Sequence, residues 1–229
     1  MSWFFDALTS SIGRKVLMAL TGLFLILFLT VHLAGNLQLL AGDGGKSFNV
    51  YSHFMAHSAV IQLISKGNFF FILLHVVVAI SLSIKNKKAR PISYRVSGGS
   101  HNSTWASRSM TLLGILTFIF LLVHLRTFWY EFKFGAEVPT TTIDGVEMHN
   151  SFLVVQNAYA SIFYSGFYVV AMVVLGFHLV HGFQSAFQSL GINHSKYSPA
   201  IKVIGKLYAI AVPGLFAVIP IIMYLKSLG

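Results

Sequence analysis

Four histidines sit one apiece inside long apolar segments of this 229-residue chain: His32, His75, His124 and His178, with His181 three residues after the last. An imidazole within a membrane-length helix is costly unless it faces the bundle interior and meets a partner. Its recurrence on four segments asks for something that binds imidazole. Four such residues make two axial pairs, the ligand set of two bis-histidine haems. Nitrogen at both axial positions stabilises ferrous and ferric iron alike and leaves no open site for oxygen or substrate, so such a centre passes electrons. A zinc or copper transporter would gather its ligands at one depth beside carboxylates, and the apolar spans contain no Asp or Glu.

The elements that must carry these residues are membrane helices. Residues 15–40, 67–84, 109–130, 152–190 and 207–225 are apolar for far longer than a strand, and each approaches or exceeds the length needed to cross a hydrocarbon core. The expected fold is an all-α integral membrane protein, a single domain over residues 1–229 whose five-helix bundle encloses two b-type haems. Residues 48–66, with His53, His57 and Gln62, suit an interfacial helix, and Trp3, Phe4 and Phe5 suit interfacial anchors. The fourth segment is too long for the hydrocarbon alone and is expected to tilt or project. Pro213 and Pro220 interrupt the fifth, as prolines in membrane helices often do.

Helical rise converts sequence distance into depth. His32 lies 18 residues beyond Arg14 and His124 lies 16 beyond Arg108, or about 27 and 24 Å from one face at 1.5 Å per residue. His75 precedes Lys85 by 10 residues and His178 precedes Gln188-Ser189 by 10, about 15 Å in each case. The histidines thus fall into two depth-matched pairs, one from the first and third spans and one from the second and fourth. His181 sits about 4.5 Å further along its helix than His178 on a nearby face, and either residue can serve as the fourth ligand. Haem propionates need cationic or hydroxyl partners near a membrane face; Ser11, Arg14, Lys15 and Arg108 qualify at one end and Arg126 at the other. Gly22, Gly35, Gly114, Gly166, Gly176 and Gly182 permit close approach of a backbone or a macrocycle.

Composition agrees with this class. Charged residues are 10% and hydrophobic residues 55% of the chain, and the mean hydropathy is +0.74. The formal charge of +10 lies mainly in short links, with no basic face of the kind a nucleic-acid partner requires. Lys85, Lys87, Lys88, Arg90, Arg95 and Arg108 follow the second span, Arg14 and Lys15 precede the first, and Lys196, Lys202 and Lys206 precede the fifth. By the positive-inside rule these share the cytoplasmic side, which puts the N-terminus in the cytoplasm and the C-terminus outside. There is no cysteine, so disulfides, thiolate zinc sites and iron-sulfur ligation are excluded within this chain.

Four motifs, His32-Leu-Ala-Gly-Asn36, Phe71-Ile-Leu-Leu-His75, Val123-His124-Leu-Arg126 and His178-Leu-Val-His181-Gly-Phe-Gln-Ser-Ala-Phe-Gln-Ser-Leu-Gly191, resemble the cytochrome b558 membrane anchor of succinate dehydrogenase and fumarate reductase complexes, in its single-anchor, five-helix, dihaem form. The resemblance covers nearly the whole chain. It implies that His32 and His124 hold the outer haem b and His75 and His178 the inner one. It further implies a flavoprotein and an iron-sulfur protein docked at the cytoplasmic face, electron exchange with menaquinone or another quinone, and a place in the bacterial cytoplasmic (inner) membrane among its lipids. Assembly as a dimer of heterotrimers is compatible with it. Some relatives carry Asn at the position of His181, which favours His178 as ligand. One branch uses a Glu near the outer end of the first helix for quinol oxidation; here residues 39–62 offer Asp43, His53, His57 and Gln62 instead. Two other classes stay open at this point: the b-type cytochrome of another membrane oxidoreductase, such as a hydrogenase, formate dehydrogenase or nitrate reductase, and a haem-free transporter or structural anchor.

Overall fold

A computed structural model describes residues 2–89, 104–135 and 137–229; Arg90, Arg95, Gly98 and Gly99 of the basic link lie outside these. The chain is mostly helical, and five helices are long and apolar enough to cross a membrane: Ser11–Leu40, Ala59–Lys88, Met110–Phe134, Ile162–Ser189 and Ser198–Ser227. Their outer surfaces expose large apolar side chains, among them Leu73, Val77, Leu112, Val170, Leu207 and Ile210. A folded protein in water would hide such a belt. The chain is therefore built as a multi-pass membrane protein.

A short helix, Ser2–Thr9, leads in. Ser10 caps the first span by accepting a hydrogen bond from the Gly13 amide at 3.0 Å, and the span ends in a 3-10 turn, Leu37–Leu40. Asp43 then organises the turn into an amphipathic helix, Lys46–His57. Its carboxylate accepts from the Gly45 amide at 3.0 Å, from the Ser47 amide at 2.8 Å and from the Ser47 hydroxyl. These bonds, the Ser47 hydroxyl's first, hold the Asp43 carboxyl below the usual carboxylate range. Asp43 is thus engaged in capping. Tyr51 of this helix presses on the first span at Gly35, where an added Cβ would come within 2.5 Å of the Tyr51 ring and would have to displace it.

The second span begins earlier than its hydropathy predicts. Ser58 is extended and ends the amphipathic helix, and residues 59–66, expected as its continuation, are the first two turns of Ala59–Lys88. Gln62 reaches back to donate to the Ala56 carbonyl at 2.9 Å, satisfying an acceptor left over at the end of the preceding helix. The third span runs as α-helix from Met110 to His124, passes through a π turn at Leu125–Tyr130, and closes with Glu131–Phe134. The following polar link forms a small antiparallel hairpin, Thr140–Ile143 with Val146–His149. Its turn residues Asp144 and Gly145 both have positive φ, as a two-residue hairpin loop requires.

The expected single fourth helix is two. Ser151–Tyr159 packs across the end of the bundle, and after a break at Ala160 and Ser161 the span proper runs Ile162–Ser189. The buried Ser165 hydroxyl donates to the Tyr159 carbonyl at 2.9 Å, so the break leaves no orphan there. Asn49 and Asn150 tie the amphipathic helix to Ser151–Tyr159: Asn49 Oδ1 accepts from the Phe152 amide at 2.8 Å and Asn49 Nδ2 donates to Asn150 Oδ1 at 3.1 Å. The fifth span is one continuous helix through buried Pro213 and Pro220. It packs most closely on the fourth, around Ala171, Leu175, Leu179 and Ala209. Tyr208 fastens it to the first span, donating to the Ile26 carbonyl at 2.7 Å with Thr30 Oγ1 at 2.9 Å.

Candidate functional site

Close backbone packing joins the first span to the second and fourth, and the fourth to the third and fifth. The first and third spans, and likewise the second and fourth, make at most marginal backbone contact. These are the pairs that carry the histidines. Side chains therefore meet across an interval that no helix closes.

At the end of the bundle nearer the hairpin, the rings of His32 and His124 face each other with centroids 5.8 Å apart and planes at 88°. His32 stacks on Phe28 at 5.2 Å and lies 5.7 Å from Phe216, while Phe120 and Phe128 flank His124 at 5.7 and 5.3 Å. The π turn starts one residue after His124, and such turns often mark functional positions in helices. The Tyr168 hydroxyl lies 3.2 Å from His124 Nδ1, and the Tyr164 hydroxyl 3.0 Å from that of Tyr168. Asn36 Nδ2, which donates to the His32 carbonyl at 2.8 Å, also lies 3.4 Å from His32 Nδ1.

At the other level, the rings of His75 and His178 are 6.4 Å apart with planes at 66°. The buried Thr21 hydroxyl donates to the Leu17 carbonyl at 2.8 Å, so it meets His75 Nδ1, 3.0 Å away, with a lone pair. Nδ1 of His75 then carries the proton and Nε2 is free to ligate. His178 Nδ1 is buried with no hydrogen-bond partner among the described residues, a condition that costs about 1–3 kcal/mol when nothing else meets it. Glycines face both rings: an added Cβ at Gly22 would sit 3.5 Å from His75 Cε1, and one at Gly114 would sit 3.9 Å from His178 Cε1.

The residues present fit a haem at each level. A metal ion bonded at about 2 Å to one nitrogen of each of two opposed imidazoles separates the ring centroids by about 6 Å, and both pairs are near that spacing. Edge-facing rings, an unmet nitrogen and glycine in place of side chains beside them suit a flat group lying between the rings. Among the described residues no group of three or more His, Asp or Glu side chains converges, so a closed four-ligand metal site of the zinc type has no counterpart there.

His181 is half-buried, and it is the His178 ring that meets His75. Of the propionate candidates, Arg14 is half-buried and donates through Nη1 to Ser81 Oγ, which ties the first span to the second near one face. Ser11, Lys15 and Arg108 are exposed. Arg126 pairs with Glu131 at 3.3 Å and lies 4.5 Å over the Tyr130 ring. Thr21 and Tyr168 were not foreseen. Thr21 carried a weak signal as a lone hydroxyl in an apolar run; Tyr168 has the look of an ordinary core aromatic.

A cleft of 520 Å³ opens between the end of the first span and the amphipathic helix, lined by Gln38, Val50, Tyr51 and Phe54, with the Lys46–Asp144 ion pair among its other lining residues. Burial pushes the Tyr51 hydroxyl above the usual phenol range. No protein-family model, curated protein or solved structure matches the chain.

Proposed function

We propose that the protein is a dihaem cytochrome b anchor of a succinate:quinone oxidoreductase, a subunit that carries electrons between an iron-sulfur partner and membrane quinone. The observation that carries this reading is the two opposed imidazole pairs, at 5.8 and 6.4 Å, stacked at two levels of one membrane bundle. His32 and His124 would hold one haem and His75 and His178 the other, and haem bound there would supply one-electron transfer. The chain's own part is to fix those rings. Thr21 sets the tautomer of His75, Tyr168 meets His124, and the apolar shell of Phe28, Phe120 and Phe128 excludes water and lowers the local dielectric. Quinone would enter the cleft beside Tyr51, whose aromatic wall and the Gln38 amide are of the kind that seat a flat apolar molecule with a few polar atoms.

Purified protein is expected to contain two haems b per chain by pyridine haemochrome, with low-spin spectra. One haem per intact chain, with loss during purification excluded, would overturn the pairing. A flavin-containing and an iron-sulfur subunit are expected to copurify; copurification with a hydrogenase or formate dehydrogenase instead would keep the haems and reject the partner.

The basic ends of the helices support a cytoplasmic placement of these links. Lys85, Lys87 and Lys88 close the second span, and Lys196 stands just before the fifth. In sealed cells these lysines are expected to resist an impermeant amine reagent and to react in inverted vesicles, with crosslinks from Lys87 or Lys196 reaching the iron-sulfur subunit. Labelling of Lys87 and Lys196 from outside would reverse the topology and the docking face together.

A further inference from the structure

His53 and His57 lie one turn apart at the C-terminal end of the amphipathic helix, outside the five spans. Their ring centroids are 4.1 Å apart and their planes 30° from parallel. This side-by-side arrangement differs from the opposed pairs inside the bundle. His57 Nδ1 lies 2.8 Å from the His53 carbonyl oxygen. A carbonyl only accepts, so Nδ1 carries the proton and His57 Nε2 presents its lone pair. The ring nitrogens of His53 take no hydrogen-bond partner among the described residues. His57 is exposed and His53 half-buried. Two nitrogens bound to adjacent positions of one ion, at about 2.1 Å each, lie about 3 Å apart, a spacing that small side-chain rotations bring within reach of rings this close.

We propose that His53 and His57 chelate one borderline divalent cation of the zinc, nickel or copper(II) class, with water in the remaining positions. Imidazole selects that class over magnesium and calcium, which take oxygen ligands. The partial negative charge at a helix C-terminus favours a cation there as well. With no third His, Asp or Glu among the described residues converging on the pair, the site is open and exchangeable, unlike a closed structural centre. The bound ion cross-links the last turn of the helix whose Val50, Tyr51 and Phe54 form one wall of the cleft, and so stiffens that wall.

The test uses the full chain in detergent, free of any polyhistidine tag, stripped with a chelator and titrated with Zn²⁺ alone, then with Cu²⁺ for electron paramagnetic resonance. One ion is expected at this site, with copper hyperfine structure from two imidazole nitrogens. His53→Ala, His57→Ala and the polar, similarly sized His57→Gln should each weaken binding by at least about tenfold, the lower end of what even outer-shell changes cost. His149→Ala should leave it unchanged. Absence of binding, equal affinity in the wild type and all three pair variants, or loss with His149→Ala instead would overturn the proposal.

Discussion

If the protein is the dihaem cytochrome proposed, His178→Ala is expected to leave one haem per chain in place of two, and His181→Ala to leave both. The His178 ring stands 6.4 Å from that of His75, close to the separation of about 6 Å that two opposed imidazoles on one ion require. Moving the ligand three residues along the helix shifts it by about 4.5 Å, most of the width of that interval, and would demand a tilted macrocycle or a changed helix register. His181 instead sits where a change of side chain alters the surroundings of the pair, so its variant should shift the potential of the inner centre while keeping the haem. Haem content alone is an incomplete readout, because His181 can ligate weakly once His178 is gone. Low-temperature electron paramagnetic resonance closes that gap: a substitute ligand changes the axial geometry and moves the low-spin signal even when haem is retained. His124→Ala serves as the counterpart, losing the outer centre and sparing the inner. The converse pattern, with His181→Ala losing a haem and His178→Ala spectrally unchanged, would reject the assignment of the fourth ligand.

The pairing of the rings is legible in the sequence because a helix converts residue number into distance at a fixed rise. Arg14, Lys85 and Arg108 mark where counting begins, and the structure brings together the same rings that the counting pairs. The five spans are legible because membrane helices must satisfy every backbone group internally and so write themselves as long apolar runs. Boundaries set by single polar contacts are less visible. Ser58 and Gln62 move the start of the second span outward through one extended residue and one hydrogen bond to Ala56, and hydropathy does not register either. The break at Ala160 and Ser161 is hidden for the same reason, because Ser165 and Ser161 supply the missing partners from within an apolar run. The hairpin is a different matter: Ile143-Asp144-Gly145-Val146 carries the turn dipeptide expected of a two-residue loop, within a segment that otherwise reads only as a polar link. Thr21 and Tyr168 depend on which helices end up packed side by side and on which faces they turn to each other, which no local pattern encodes.

Gly22→Leu and Gly114→Leu are expected to abolish the inner haem while leaving the helices and the outer haem in place. An added Cβ at Gly22 would lie 3.5 Å from His75 Cε1, and one at Gly114 would lie 3.9 Å from His178 Cε1; both are ordinary contacts, so Gly22→Ala and Gly114→Ala should each retain two haems. Leucine adds three more carbons beside the rings, in the space that the proposed haem would need. The expected sign of the effect on folding separates haem exclusion from simple damage. Glycine weakens a helix interior by about 0.8–1.0 kcal/mol relative to alanine, and leucine is both a good helix former and at home in lipid, so the apoprotein should insert and fold at least as well as the wild type. Loss of haem without loss of membrane insertion or helicity is the expected result, read as one haem per chain with the outer low-spin signal unchanged. Two haems with unaltered spectra in both leucine variants would mean that the space beside His75 and His178 holds no macrocycle, and the inner pair would then need another explanation for its spacing.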